Sequence, residues 1–147
     1  MPDAADTVAL GLVIISHGQL ATELLNAAEM IAGPLPHATA VSIGWHDNAE
    51  TARQHIADAI SRNPAPAGVI VMTDMFGGTP SNLAMTFLAD RRVELVTGVN
   101  LPMLIKFANL RGERTNLRDV ARTLAECGRA AIWVPADLVE TRDGGRS

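Results

Sequence analysis

The sequence predicts an α/β domain built on a doubly wound, mostly parallel sheet. Apolar runs rich in Val and Ile alternate with stripes of helical period along nearly the whole chain, the pattern of repeated strand–helix–strand units. Two of the runs, Val8–Ser16 and Gly68–Thr73, are unbroken rather than alternating, as strands covered on both faces are. In the common doubly wound order 2-1-3-4 the first and third strands are neighbours, about 4.8 Å apart. The turns after them, Ser16-His17-Gly18 and Asp74–Asn82, then share the carboxyl edge of the sheet, where such folds bind ligands.

The elements follow in order. After the first strand, Leu20, Leu24, Ala28 and Ile31 form a helical stripe over Leu20–Ala32, which Gly33-Pro34 stops. Thr39–Ile43 is a short second strand. Gly44–Asp47 is a loop, and Asp47 with Glu50 reads as a capping box for a helix over Ala49–Ser61. The prolines of Asn63–Ala67 mark a turn before strand three. A helical pattern, Leu83–Leu88, leaves the glycine turn, Val93–Thr97 is strand four, and Gly98–Pro102 opens a further helix. Asn116 caps a helix running through Cys127, with Leu117, Val120 and Leu124 inward and Gly128 ending it. Ala130–Val134 reads as a last strand, closed by Pro135, and Glu140–Ser147 as a loose tail.

A chain of 147 residues is expected to form a single domain, with a core over about residues 8–135. At 48% hydrophobic and 19% charged it is a globular sequence. The net charge of −4 argues against nucleic acid as a partner. Val8–Ile15 is too short to span a bilayer and Met1–Thr7 holds no basic region, so a cytoplasmic protein without direct membrane insertion is expected. Cys127 is the single cysteine, which leaves no intrachain disulfide and no cysteine metal cluster. Arg111, Arg114, Arg118 and Arg122 read as a solvated basic edge.

The chemistry is concentrated at two turns. Gly77 and Gly78 tolerate dihedrals that other residues resist, so backbone N–H groups can converge there. Thr79 suits an N-cap and Pro80 the first helical position, and the N-terminus of that helix suits an anion, phosphate above all. The plainer reading is a tight strand-to-helix turn. Asp74 precedes this turn, an odd place for an acid unless it serves another group, and His17 at the end of the neighbouring strand is that group. A carboxylate on one ring nitrogen sets the tautomer and leaves the other as a lone-pair nucleophile. A lone Ser-His-Gly is a weak signal; its pairing with the glycine turn singles out His17 for phosphoryl transfer. Lys106 is the only lysine and there is no Gly-Lys-Ser/Thr loop, so the expected donor is another phosphoprotein rather than a nucleotide. No cofactor and no metal are expected. Met75 and Phe76, apolar at a loop tip, suit partner docking. His46 opens onto the same edge and is the second candidate histidine; His37 on the opposite edge and His55 on a helix are expected to be exposed. A hydrolase triad of Ser16, His17 and Asp74 is disfavoured, because Ser16 adjoins His17 and no Gly-x-Ser-x-Gly elbow is present.

Ser16-His17-Gly18, Asp74–Asn82 and Gly98–Leu104, in this order and spacing, resemble the IIA component of the mannose family of the bacterial sugar phosphotransferase system. The resemblance runs from about Val8 to Val134. It implies that His17 accepts a phosphoryl group from the phosphocarrier HPr and passes it to a IIB partner for sugar uptake. It implies that Asp74 orients His17, that Gly77, Gly78 and Thr79 receive the phosphoryl oxygens, and that the protein is a homodimer whose last strand, Ala130–Val134, crosses to the other subunit. Thr79 stands where some members have Ser and keeps the hydroxyl, while His46 has no counterpart in the motif. With no IIB segment before Ser147, a stand-alone IIA with a separate IIB partner is expected. The same chemistry in a regulatory relay lacking a permease is a second reading, and a non-enzymatic, anion-binding flavodoxin-like module a third. The phosphoryl-donor subunit of dihydroxyacetone kinase shares an N-terminal Ser-His but lacks the other two motifs.

Overall fold

The computed structural model describes residues 8–112 and 116–142. Strands β1 (Leu10–His17), β2 (Ala38–Ile43), β3 (Gly68–Thr73) and β4 (Val93–Thr97) form one sheet in the order β2-β1-β3-β4. All three pairings are parallel, as the sequence predicts. Helices α1 (Leu20–Ala32), α2 (Ala49–Ser61), α3 (Thr79–Met85), α4 (Leu101–Leu110), α5 (Leu117–Ala130) and α6 (Pro135–Arg142) complete the described chain.

The unbroken apolar run of β1 is explained by burial on both faces. Leu10, Leu12 and Ile14 join Ile70 and Met72 in a core closed by α1, α4 and α5. Val13 and Ile15 join Val69 and Val71 beneath α2 and α3. Gly11 is required by a close approach, since a Cβ there would overlap the Asn63 side chain. Asn63 is buried; its Nδ2 donates to the His37 carbonyl at 2.8 Å and its Oδ1 accepts the Ala65 N–H at 3.1 Å. This clamp holds His37 at φ 66°, half-buried rather than exposed; His55 is exposed as expected.

Several local expectations are corrected. The cap of α2 is Asn48, whose side chain accepts from Glu50 N and Thr51 N. Asp47 instead accepts the Gly44 N–H at 2.6 Å and folds the β2–α2 loop on itself. Gly128 does not end α5, which runs on to Ala130; a Cβ at 128 would stand 2.8 Å from Met103 Cε, so this glycine admits α4 to close contact. Asn100 joins the same two helices: its Oδ1 accepts Met103 N at 3.0 Å and its Nδ2 donates to the Gly128 carbonyl at 3.1 Å. Ala130–Val134 is not a strand within the chain. Ala131 N and Ile132 N are bonded back to Cys127 O and Arg129 O, so the helical turn captures the start of the segment, and α6 begins at Pro135. Ile132, Trp133 and Val134 are left exposed. The basic edge is divided: the Arg111 carbonyl accepts from Ala9 N and Leu10 N, Arg118 lies 3.5 Å from Glu94 and Arg122 3.9 Å from Asp119, and Arg114 lies outside the described residues.

Candidate active site

Ile15 lies level with Thr73 in the β1–β3 pairing, so His17 and Asp74 leave adjacent strands within one residue of the same level. Ser16 anchors the first turn. Its buried hydroxyl accepts the Ala21 N–H at 2.7 Å and donates to Gly18 O at 3.2 Å. It supplies the first turn of α1 with the side-chain cap that the nominal N-cap, Gln19, does not. Such a hydroxyl is a structural tie and not a nucleophile, which removes the triad reading. Gly18 turns at φ 56°, and the His17 side chain emerges 53% exposed.

Asp74 binds His17 twice. Its Oδ2 accepts the His17 backbone N–H at 3.0 Å and lies 2.7 Å from the ring Nδ1; its Oδ1 accepts the Met75 N–H at 3.0 Å. The carboxylate side chain is only 11% exposed. Burial pushes its pKa up, but the His17 N–H, the His17 imidazole and the Met75 N–H together hold it below the ordinary aspartate value. An ionised carboxylate only accepts, so Nδ1 is the donor, and in the neutral imidazole Nε2 is then the nitrogen with the lone pair.

The Cε1–Nε2 edge of the ring lies against the glycine turn. A Cβ at residue 78 would stand 3.4 Å from both Nε2 and Cε1, so only a glycine there leaves that edge clear. Gly78 at φ 85° and Gly77 at φ 90° also hold a backbone region that side chains disfavour. The N-cap of α3 is Gly78, and Thr79 is the first helical residue with no capping bond; the predicted cap is thus displaced by one position. Ser81, buried, donates to Gly78 O at 3.3 Å and secures the turn.

A cleft of about 500 Å³ is lined by His17, Gly18, Ile43, Gly44, Trp45 and Thr79. Trp45 was not among the predicted site residues; an aromatic residue in the loop just beyond the second strand was the available signal. His46, its neighbour, is exposed and does not line the cleft. Met75 and Phe76 stand 53% and 73% exposed on the loop after β3. A second hollow of about 440 Å³, beside His37, His55 and Arg62, includes none of these groups. Among the described residues no cluster of His, Cys, Asp and Glu could hold a metal, and no helix is long and apolar enough to cross a membrane.

The family model described as "PTS system fructose IIA component" matches residues 11–125. The chain belongs to this family, the mannose-type IIA components. The fructose-specific EIIA component of Bacillus subtilis is 30% identical over 132 residues, 89% of this chain and 90% of that one. The mannose-specific EIIAB component of Escherichia coli K12 is 30% identical over 129 residues, 84% of this chain but only 38% of the longer relative. The mannose/sorbose-specific IIA subunit from Enterococcus faecalis superposes with a TM-score of 0.72 at 31% identity, covering 84% of this chain and 92% of that one. A PTS IIA protein associated with the fucose utilization operon of Streptococcus pneumoniae superposes at 0.79 over 90% of this chain and 97% of its own, at 24% identity, a likeness of fold. IIA components of this family are phosphotransferases.

Proposed function

We propose that the protein is a phosphocarrier that takes a phosphoryl group from phosphorylated HPr onto Nε2 of His17 and passes it to a separate IIB partner, feeding sugar uptake. The observation that carries this is the 2.7 Å contact of His17 Nδ1 with Asp74, which leaves Nε2 as the ring nitrogen without that contact, on the ring edge beside Gly78. In the first step the P–N bond of the donor phosphohistidine breaks and its electron pair returns to the donor ring. The Nε2 lone pair forms the new P–N bond, while the Nδ1 proton stays on Asp74's side. Transfer to IIB reverses these roles. Asp74 offsets the positive charge that gathers on the ring, and the Gly77–Thr79 amides are suited to the phosphoryl oxygens. Docking of HPr and IIB uses Met75 and Phe76.

The protein works in the cytoplasm as a homodimer. Support for the dimer is the pair of incomplete surfaces on one chain: among the described residues β4 pairs only with β3, and the apolar segment Ile132–Val134 lies exposed. Exchange of that segment between two chains covers both.

The test is incubation with phosphoenolpyruvate, enzyme I and HPr, followed by mapping of the phosphate. Acid-labile label on His17, lost in His17→Ala and kept in His46→Ala, is expected. Label that survives in His17→Ala and vanishes in His46→Ala overturns the assignment.

A further inference from the structure

The cleft beside His17 contains no lysine or arginine among its lining residues. Asp74, held ionised, stands on the other side of the ring. The cleft lining thus offers a phosphoryl group no side-chain cation, only backbone amides, and contacts outside the cleft are left to add affinity for the rest of the donor. Two loops offer them. Trp45 on the β2 loop is 94% exposed, and Phe76 with Met75 stands on the β3 loop. β1 lies between β2 and β3 in the sheet, so the loops that carry these apolar groups leave the sheet on either side of the strand that ends in His17.

Trp45 sits in a turn closed by its neighbours. Gly44 N donates to Asp47 Oδ2 at 2.6 Å, and Asp47 N donates to Gly44 O at 3.2 Å. This closed turn presents the indole at its tip. A loop closed by its own hydrogen bonds that leaves a tryptophan in solvent, at the rim of a reactive cleft, has the character of an interface anchor.

We infer that Trp45 is a specificity-determining anchor for the phosphoryl donor, and that the donor is a protein whose phosphohistidine is set in an apolar rim. Trp45 grips one side of that rim and Phe76 the other. This rests on the phosphocarrier reading and adds to it which residue selects the donor. The indole contributes binding alone and takes no part in the bond exchange at Nε2.

The experiment is steady-state transfer from phosphorylated HPr to the wild type, Trp45→Ala and Trp45→Phe, with melting curves of each. Trp45→Ala should raise KM at least ~10-fold with kcat near the wild-type value. Its melting temperature should be unchanged, and Trp45→Phe should recover most of the affinity. Saturating HPr should also shift the tryptophan emission of the wild type to shorter wavelength, and leave that of Trp45→Phe unshifted. An unchanged KM in Trp45→Ala overturns the inference, as does a fall in kcat at constant KM. Labelling of the wild type by acetyl phosphate as fast as by HPr also overturns it, because the donor is then a small molecule. A wild type that takes no label from HPr at all is a different failure, that of the phosphocarrier reading itself.

Discussion

One carboxylate oxygen, Oδ2 of Asp74, meets both the backbone N–H and the ring Nδ1 of His17, at 3.0 and 2.7 Å. The backbone contact fixes where the histidine stands; the ring contact fixes which nitrogen is free. An amide at position 74 keeps the first contact and confuses the second, because its NH₂ can bond a bare Nδ1 and put the proton on Nε2. Asp74→Asn should therefore fold normally and transfer phosphate at least ~100-fold more slowly. Wild-type transfer in that variant, or a hydroxylamine-labile acyl phosphate on Asp74, would remove the orienting role.

Acid should weaken the same contact. Asp74 is held below its ordinary pKa, so the unfolded chain binds its proton first as pH falls. The stabilisation is then full above about pH 4 and is lost as pH drops through the lower folded value. Urea midpoints of wild type and Asp74→Asn should differ most from about pH 5 to 7 and draw together below pH ~3. A gap that widens on acidification contradicts this sign.

Phe76→Ala separates docking from packing. The ring is 73% exposed, so its loss should change stability by less than ~0.5 kcal/mol. Partner binding should weaken by ~1–2 kcal/mol, roughly ten-fold, by calorimetry or KM. A large fall in melting temperature with unchanged kinetics would make Phe76 a core residue instead.

Asn100→Ala removes two bonds at once, the cap on Met103 N and the donor to Gly128 O. A lost cap costs ~1 kcal/mol and a stranded acceptor about as much again. The melting temperature should fall by roughly 4–8 °C. Asn100→Ser, which keeps a capping oxygen but cannot reach as far as the amide, should recover part of it. No change in melting temperature for Asn100→Ala would show that the α4–α5 junction is held by Met103 and Phe107 packing alone.

Deletion of residues 131–147 tests the exchanged dimer while leaving α5 whole. Neither buried cluster contains a residue beyond Ala125, so the truncated chain should stay folded and show the mass of one chain by light scattering. The full chain should show the mass of two, with an interface above ~2,000 Å² as in obligate dimers. One-chain mass for the full protein at micromolar concentration rules the dimer out.

The sequence alone determined the sheet, because unbroken apolar runs such as Leu10–Ile15 require burial on both faces and the intervening stripes require helices to provide it. The same reasoning located His17 and Asp74, since the chain ends of neighbouring parallel strands must meet at one edge. It mislaid what depends on which of several polar groups wins a local contest. Asn48 and Asp47 are equally good caps by type, and only the path of the loop gave one the helix and the other Gly44. Gly128 looks like a helix stop until α4 is packed against it and the missing side chain becomes a point of contact. The segment after Ala130 has a strand's composition, but a strand needs an edge to pair with, and the chain by itself offers that segment only the end of α5. Trp45 was passed over for a related reason: its place in the loop after the second strand was legible, but only the tertiary structure, by closing the Gly44–Asp47 turn at the mouth of the cleft, shows that the loop lies beside His17.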